Sequence, residues 1–137
     1  MNLDPSAFVA DPALIDGLDK ESTPVPCSED RVLFRQGDAP MGLFILKSGA
    51  AILTMTSASG SKIISTRATA GSLLGLPGLI GNEPYTLSAT ALAGAQLRFL
   101  ARERFTSLMR SDPMLALNVL QVLAAEVRSA RNAILQR

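Results

Sequence analysis

"LFRQGDAPMGLFILKSGAAIL" (residues 33–53) decides the fold. Two apolar runs, "LFILKS" and "AAIL", are separated by Gly49, and a Gly37-Asp38 turn precedes them. Strands of four to seven residues divided by glycine and small polar residues point to a compact antiparallel barrel or sandwich. Gly49 is expected to be a hairpin glycine, because it adopts a positive φ at little cost.

The pattern extends outward from this stretch. "RVLFRQ" precedes it, and "IISTRATA", "GSLLGLPG" and "AQLRFL" (95–100) follow, with "SASGSK" as a tight turn. Upstream, residues 5–18 place Phe8, Val9, Leu14, Ile15 and Leu18 at loosely helical spacing, and Asp11-Pro12 is a helix cap followed by a first-turn proline. "STPVPCSED" (22–30) has two prolines and reads as a connector or an edge strand. After Leu100 the chain turns helical. Phe105, Leu108 and Met109 share one face, and Asp112-Pro113 opens a longer helix running towards Arg137.

In that helix Ala116, Leu120, Leu123, Val127, Ala130 and Ile134 alternate steps of four and three, a heptad seam. Leu117, Val119 and Val122 add apolar surface to its first half, enough to face both the barrel and a second helix. A homodimer built on Leu120, Leu123, Val127, Ala130 and Ile134 is the expected partner arrangement.

Composition narrows the function. The 137 residues suit one domain, 47% of them are hydrophobic, and there is one cysteine and no histidine. Those counts remove the usual zinc and haem ligand sets and the Ser-His and Cys-His catalytic pairs, so neither a metal nor an enzymatic role is expected. Cys27 reads as a buried or incidental thiol. No apolar run reaches the roughly 20 residues of a membrane span, and "MNLDPSAF" has no secretory character; the expected location is the cytoplasm. The net charge of +1 is uneven: residues 1–30 hold seven acids against Lys20, and residues 101–137 hold six arginines against Glu103, Asp112 and Glu126. A solvated helix face is the expected meaning of those arginines, with nucleic-acid contact the other reading.

The order of elements, with Phe34, Gly37-Asp38, Leu43, Phe44, Ile45, Gly49 and Leu53, resembles the cyclic-nucleotide-binding sensor domains of the Crp/Fnr (catabolite activator and fumarate-nitrate regulator) family. "GSLLGLPGLIGNEPYTLSATALAGAQLRFLARERFTSLMRSDP" (71–113) fits the second half of that domain, and the similarity spans residues 8–137. The resemblance implies a mainly β fold with flanking helices: a double-stranded β-helix (jelly-roll β-roll) followed by a long dimerisation helix. The expected divisions are an N-terminal helical segment and connector (1–30), the roll (31–100) and the two C-terminal helices (101–137). Regulators of this family continue into a DNA-binding domain. These residues contain no recognition helix, so no direct DNA contact is expected of them, whether the chain is a piece of a longer regulator or a natural single domain.

The family's ligand site is a phosphate cassette: a Gly-Glu pair, a short helix offering amides to the cyclic phosphate, and an arginine before small residues. Here Gly75, Pro77, Gly78, Ser88 and Ala89 match that cassette, but Leu76 stands in the glutamate slot and Leu87 in the arginine slot. Residues 68–97 contain no Arg or Lys. A buried phosphate without its cation loses about 3–5 kcal/mol, a hundredfold or more in affinity at about 1.4 kcal/mol per decade. Cyclic AMP and cyclic GMP are therefore disfavoured, and no cofactor is expected. Leu73, Leu74, Leu76, Leu79, Ile80 and Leu87 make the region apolar. Two readings stay open: a collapsed pocket filled by leucines, or one repurposed for an uncharged or aromatic effector. In the second, Tyr85, Thr86, Ser88 and Thr90 would supply polar groups. Arg67 is expected at the surface.

Overall fold

Asp11 accepts a hydrogen bond from the Leu14 amide at 2.8 Å and Asp112 one from the Leu115 amide at 3.1 Å, so both Asp-Pro steps start helices. The structure, a computed structural model, describes residues 3–135, without the side chains of residues 62 and 63. Arg137 lies outside the described residues.

A single turn of 3₁₀ helix (Pro5–Phe8) and helix α1 (Pro12–Asp19) lead into eight strands: β1 (Thr23–Val25), β2 (Arg31–Phe34), β3 (Gly42–Ser48), β4 (Ala51–Thr56), β5 (Lys62–Ala68), β6 (Ser72–Leu74), β7 (Ser88–Ala91) and β8 (Gln96–Ala101). Helix α2 (Leu76–Gly81) lies between β6 and β7, and α3 (Arg102–Ser111) and α4 (Pro113–Leu135) complete the chain. The strands form two antiparallel sheets, β1-β8-β3-β6 and β2-β7-β4-β5. Facing each other, they make the jelly-roll-like β-roll expected from the sequence.

The topology corrects one expectation. β3 and β4 belong to different sheets, so Gly49 is no hairpin glycine. It does take a positive φ of 86°, at the corner where the chain crosses between sheets, and a Cβ there would lie 2.8 Å from the Ala95 Cα. The 57–61 turn joins a true hairpin, β4 to β5. β1, within the 1–30 connector, pairs with β8 at a sheet edge, where Pro24 is tolerated.

Side-chain alternation builds two cores. Along β3, Phe44 and Leu46 enter the roll, while Leu43 and Ile45 point to a second layer formed with α1, α3 and the start of α4. β6 divides the same way: Leu74 faces the roll and Leu73 the helices. A sheet buried on both faces needs a continuous apolar run, which "LFIL" and "SLL" supply. The β2-β7-β4-β5 sheet is half solvated, with Leu53 inward and Ser65 and Arg67 exposed. An ionic cluster ties α1 to the β1-β8-β3-β6 sheet: Asp19 meets Arg98 at 2.6 Å and Lys47 at 3.2 Å.

Candidate functional site

The inside of the roll is occupied by its own side chains. The Tyr85 ring stacks on Phe34 with centroids 4.0 Å apart and an interplanar angle of 18°. Its hydroxyl accepts from the Met41 and Gly42 amides and donates to the Gly42 carbonyl at 2.8 Å. Tyr85 is thus fully committed to the fold and offers no free polar group to a ligand. Between Phe34, Leu74, Gly75, Pro77 and Tyr85 remains a cavity of about 20 Å³, room for a single water.

The cassette positions part company in three dimensions. Gly75 turns the chain at φ 99°, and a Cβ there would lie 2.9 Å from the Tyr85 ring. Leu76, next along, is fully buried in the helix-side layer with Leu43, Ile45, Leu79 and Leu100 and does not line the roll. Pro77 and Gly78 border the small cavity. Helix α2 has only six residues and no side-chain cap, and Pro77 removes one of the amides a phosphate would use. Ser88 Oγ accepts from the Gln36 amide at 2.9 Å, which holds a neighbouring loop. Ala89 packs into the roll core, and Leu87 sits half-buried at the roll's open side. Thr86 is exposed at the same rim, and Thr90, in β7, pairs with Val32 of β2 and Ile52 of β4. Among the described residues, no arginine or lysine lines the cavity at the cassette.

The ionisable group that does line it comes from α4. The inward stripe of this 23-residue helix is Leu115, Val119, Val122, Glu126, Ser129 and Ala133, again in steps of four and three. It is shifted by one residue from the seam expected to dimerise. Glu126 is only 8% exposed, and its Oε1 has no hydrogen-bond partner among the described residues. Burial alone pushes its pKa from 4.5 up to about 8. It borders both the small cavity and a larger cleft of about 250 Å³ between α4 and the roll. Beside it, Ser129 Oγ accepts from the Asp4 amide at 2.8 Å and pins the N-terminal segment to α4.

In the sequence Glu126 stands out only as one of the three acids among the C-terminal arginines. The signal that finds it is the stripe itself: Leu115, Val119 and Val122 extrapolate by heptad steps onto an acid.

The seam residues occupy the adjacent stripe. Leu120, Val127 and Ile134 are 49%, 53% and 60% exposed, and Ala116, Leu123 and Ala130 are half-buried. Leu123 and Ala130 pack partly against the two cores. Cys27 is buried, its Sγ 3.4 Å from the Glu29 and Leu92 carbonyls. No described helix is long and apolar enough to cross a membrane.

Comparison with known proteins places this geometry. Residues 24–112 match the model of the cyclic nucleotide-binding domain. The cyclic AMP receptor protein of Thermus thermophilus is 29% identical over 102 residues, which are 74% of this chain; the chain spans about half (47%) of that relative. The crystal structure of the Thermus thermophilus catabolite activator protein superposes with a TM-score of 0.77 at 25% identity, covering 96% of this chain and 62% of that one. The N-terminal domain of a transcriptional regulator from Streptomyces coelicolor A3(2) gives 0.66 at 23% identity, covering 95% and 93%.

Proposed function

Since the chain belongs to the cyclic nucleotide-binding domain family, we propose that it is a regulatory domain of the Crp/Fnr type that has given up conventional cyclic-nucleotide binding and dimerises through α4. The observation that carries the first part is the replacement of charge at the cassette. Leu87 stands where a guanidinium is needed, Leu76 faces away from the roll, and the ionisable group at the opening is the acid Glu126. A cyclic phosphate brought there would meet no cation among the described side chains, one amide fewer and a carboxyl group.

Two features support the dimer. Leu120, Val127 and Ile134 form an exposed apolar stripe along α4. Beside it runs an apolar groove of about 280 Å³ bordered by Ile80, Met109, Ala116 and Leu120. Val127 and Ala130 also border the cleft at Glu126, so one helix carries both the ligand-facing and the partner-facing residues. A ligand that prefers one setting of α4 would bias the pairing, as such switches require. A regulatory, non-enzymatic role, with the cytoplasm as its place, is part of this reading, and relatives named as a receptor and an activator support the regulatory part.

The test is calorimetric titration of the chain with cyclic AMP and cyclic GMP. Dissociation constants no tighter than about 100 µM are expected, and submicromolar binding of either overturns the proposal.

A further inference from the structure

We infer that the cleft between α4 and the open side of the roll is a binding site for a small amphiphilic cation, an organic ammonium whose N–H groups are accepted by Glu126. The inference deepens the reading of the domain as a sensor and rests on it only for the idea that the roll–helix junction takes a ligand.

Three observations converge. The first is the carboxylate oxygen. Glu126 Oε1 is buried and lacks a hydrogen-bond partner among the described residues, a condition costly enough that native proteins rarely leave it unanswered. The second is the space in front of it. The cleft measures about 250 Å³, close to the lower end of ligand pockets, and Leu3, Phe8, Met55, Ile64, Pro77 and Leu87 give it apolar walls. Such walls suit a single aromatic ring or a short alkyl body, and the single acid suits a single cationic head. The third is the lack of a competing cation among the described side chains. The ion pairs among the described residues join Asp19 to Lys47 and Arg98, and Glu21 to Arg104, all away from α4. Among the described side chains, those that wall the cleft opposite α4, from the N-terminal segment, β4, β5, α2 and the 86–87 rim, carry no titratable group.

An ammonium is favoured over a neutral donor because hydrogen bonds between opposite charges are about twice as strong as neutral ones. The proton balance follows from the burial of the acid, whose pKa stands at about 8 in the empty cleft. At neutral pH the carboxyl group enters the reaction protonated. Binding of R–NH₃⁺ ionises it, forms the ion pair and releases up to one proton to solvent.

The experiment uses the intact chain at pH 7 and three probes of one shape: phenethylamine (cation), 2-phenylethanol (neutral) and phenylacetate (anion). The amine is expected to bind, the alcohol at least ~10-fold more weakly, and phenylacetate without measurable heat. Titrations in buffers of different ionisation enthalpy should report proton release with the amine. Glu126→Gln, nearly isosteric, should lower amine affinity at least ~10-fold while its thermal transition stays cooperative. Thr86→Phe, at the exposed rim, should block the amine to a similar degree with Glu126 in place. Equal affinity for amine and alcohol, unchanged amine affinity in either variant, or no amine heat up to about 10 mM each overturns the inference. A submicromolar cyclic AMP titration overturns the reading of the cassette instead, so the two failures are told apart.

Discussion

Tyr85 closes around Gly42: its hydroxyl donates to the Gly42 carbonyl at 2.8 Å and accepts from the Gly42 amide at 3.2 Å. One side chain therefore satisfies both backbone groups of a residue 43 positions away, while its ring stacks on Phe34 and fills the roll. Tyr85→Phe keeps the stack but leaves buried backbone groups without partners. A loss of about 1–3 kcal/mol is expected, read as a lower urea midpoint with an unchanged slope. A loss under about 0.5 kcal/mol would show that the hydroxyl does not hold β3.

Glu126 contributes its own pH dependence to stability. Its folded pKa of about 8 lies above the 4.5 of the unconstrained group. Between those values the native state holds a proton that the unfolded chain has released, so stability falls as pH rises from about 4.5 to about 8 and levels off beyond. The full effect at pH 7 is on the order of 3 kcal/mol as an upper bound. Glu126→Gln should remove this slope and stabilise the protein at pH 7 and above. Urea midpoints at pH 5, 7 and 9 for both proteins check it, and parallel curves would refute it.

Dimerisation is best tested at a seam residue that does little else. Leu123 packs partly against the helix-side core, so Leu123→Glu would mix folding with association. Leu120 is half exposed in the single chain. Leu120→Glu should therefore leave the fold intact and halve the sedimenting mass from twice the 14.4 kDa of the chain. Equal masses for the two proteins would remove the seam.

The fold was legible because its signals are local. Asp-Pro steps, glycine-punctuated apolar runs and a heptad helix each follow from a few neighbouring residues. What the sequence hid was which side of a doubly buried sheet each leucine takes. "GSLLGLPG" reads as uniformly apolar, yet Leu74 enters the roll while Leu73 and Leu76 face the helices. Gly49 misled for a related reason: a positive φ is local, but whether two strands pair depends on the whole topology. Glu126 was hidden by a neighbour. The stripe through Leu120 and Val127 is the more apolar, although the stripe one residue earlier is the one that the fold buries.

Restoring the family's residues at the two leucine slots should give opposite results, because the structure separates those slots. Leu76 is fully buried among Leu43, Ile45 and Leu100, so Leu76→Glu places a charge in an apolar layer with no cation to answer it. Destabilisation of about 3 kcal/mol or more is expected, with no gain in nucleotide affinity. Leu87 is half-buried on the cleft it shares with Glu126. Leu87→Arg should fold, and its guanidinium would favour the ionised carboxylate, drawing the Glu126 pKa down and flattening the decline of stability with pH. The introduced cation would then be engaged by the acid, so cyclic AMP should gain little from it. A Leu76→Glu protein as stable as the parent would refute the sealed apolar layer around Leu76, and a Leu87→Arg protein with submicromolar cyclic AMP affinity would show that Glu126 does not engage the introduced cation.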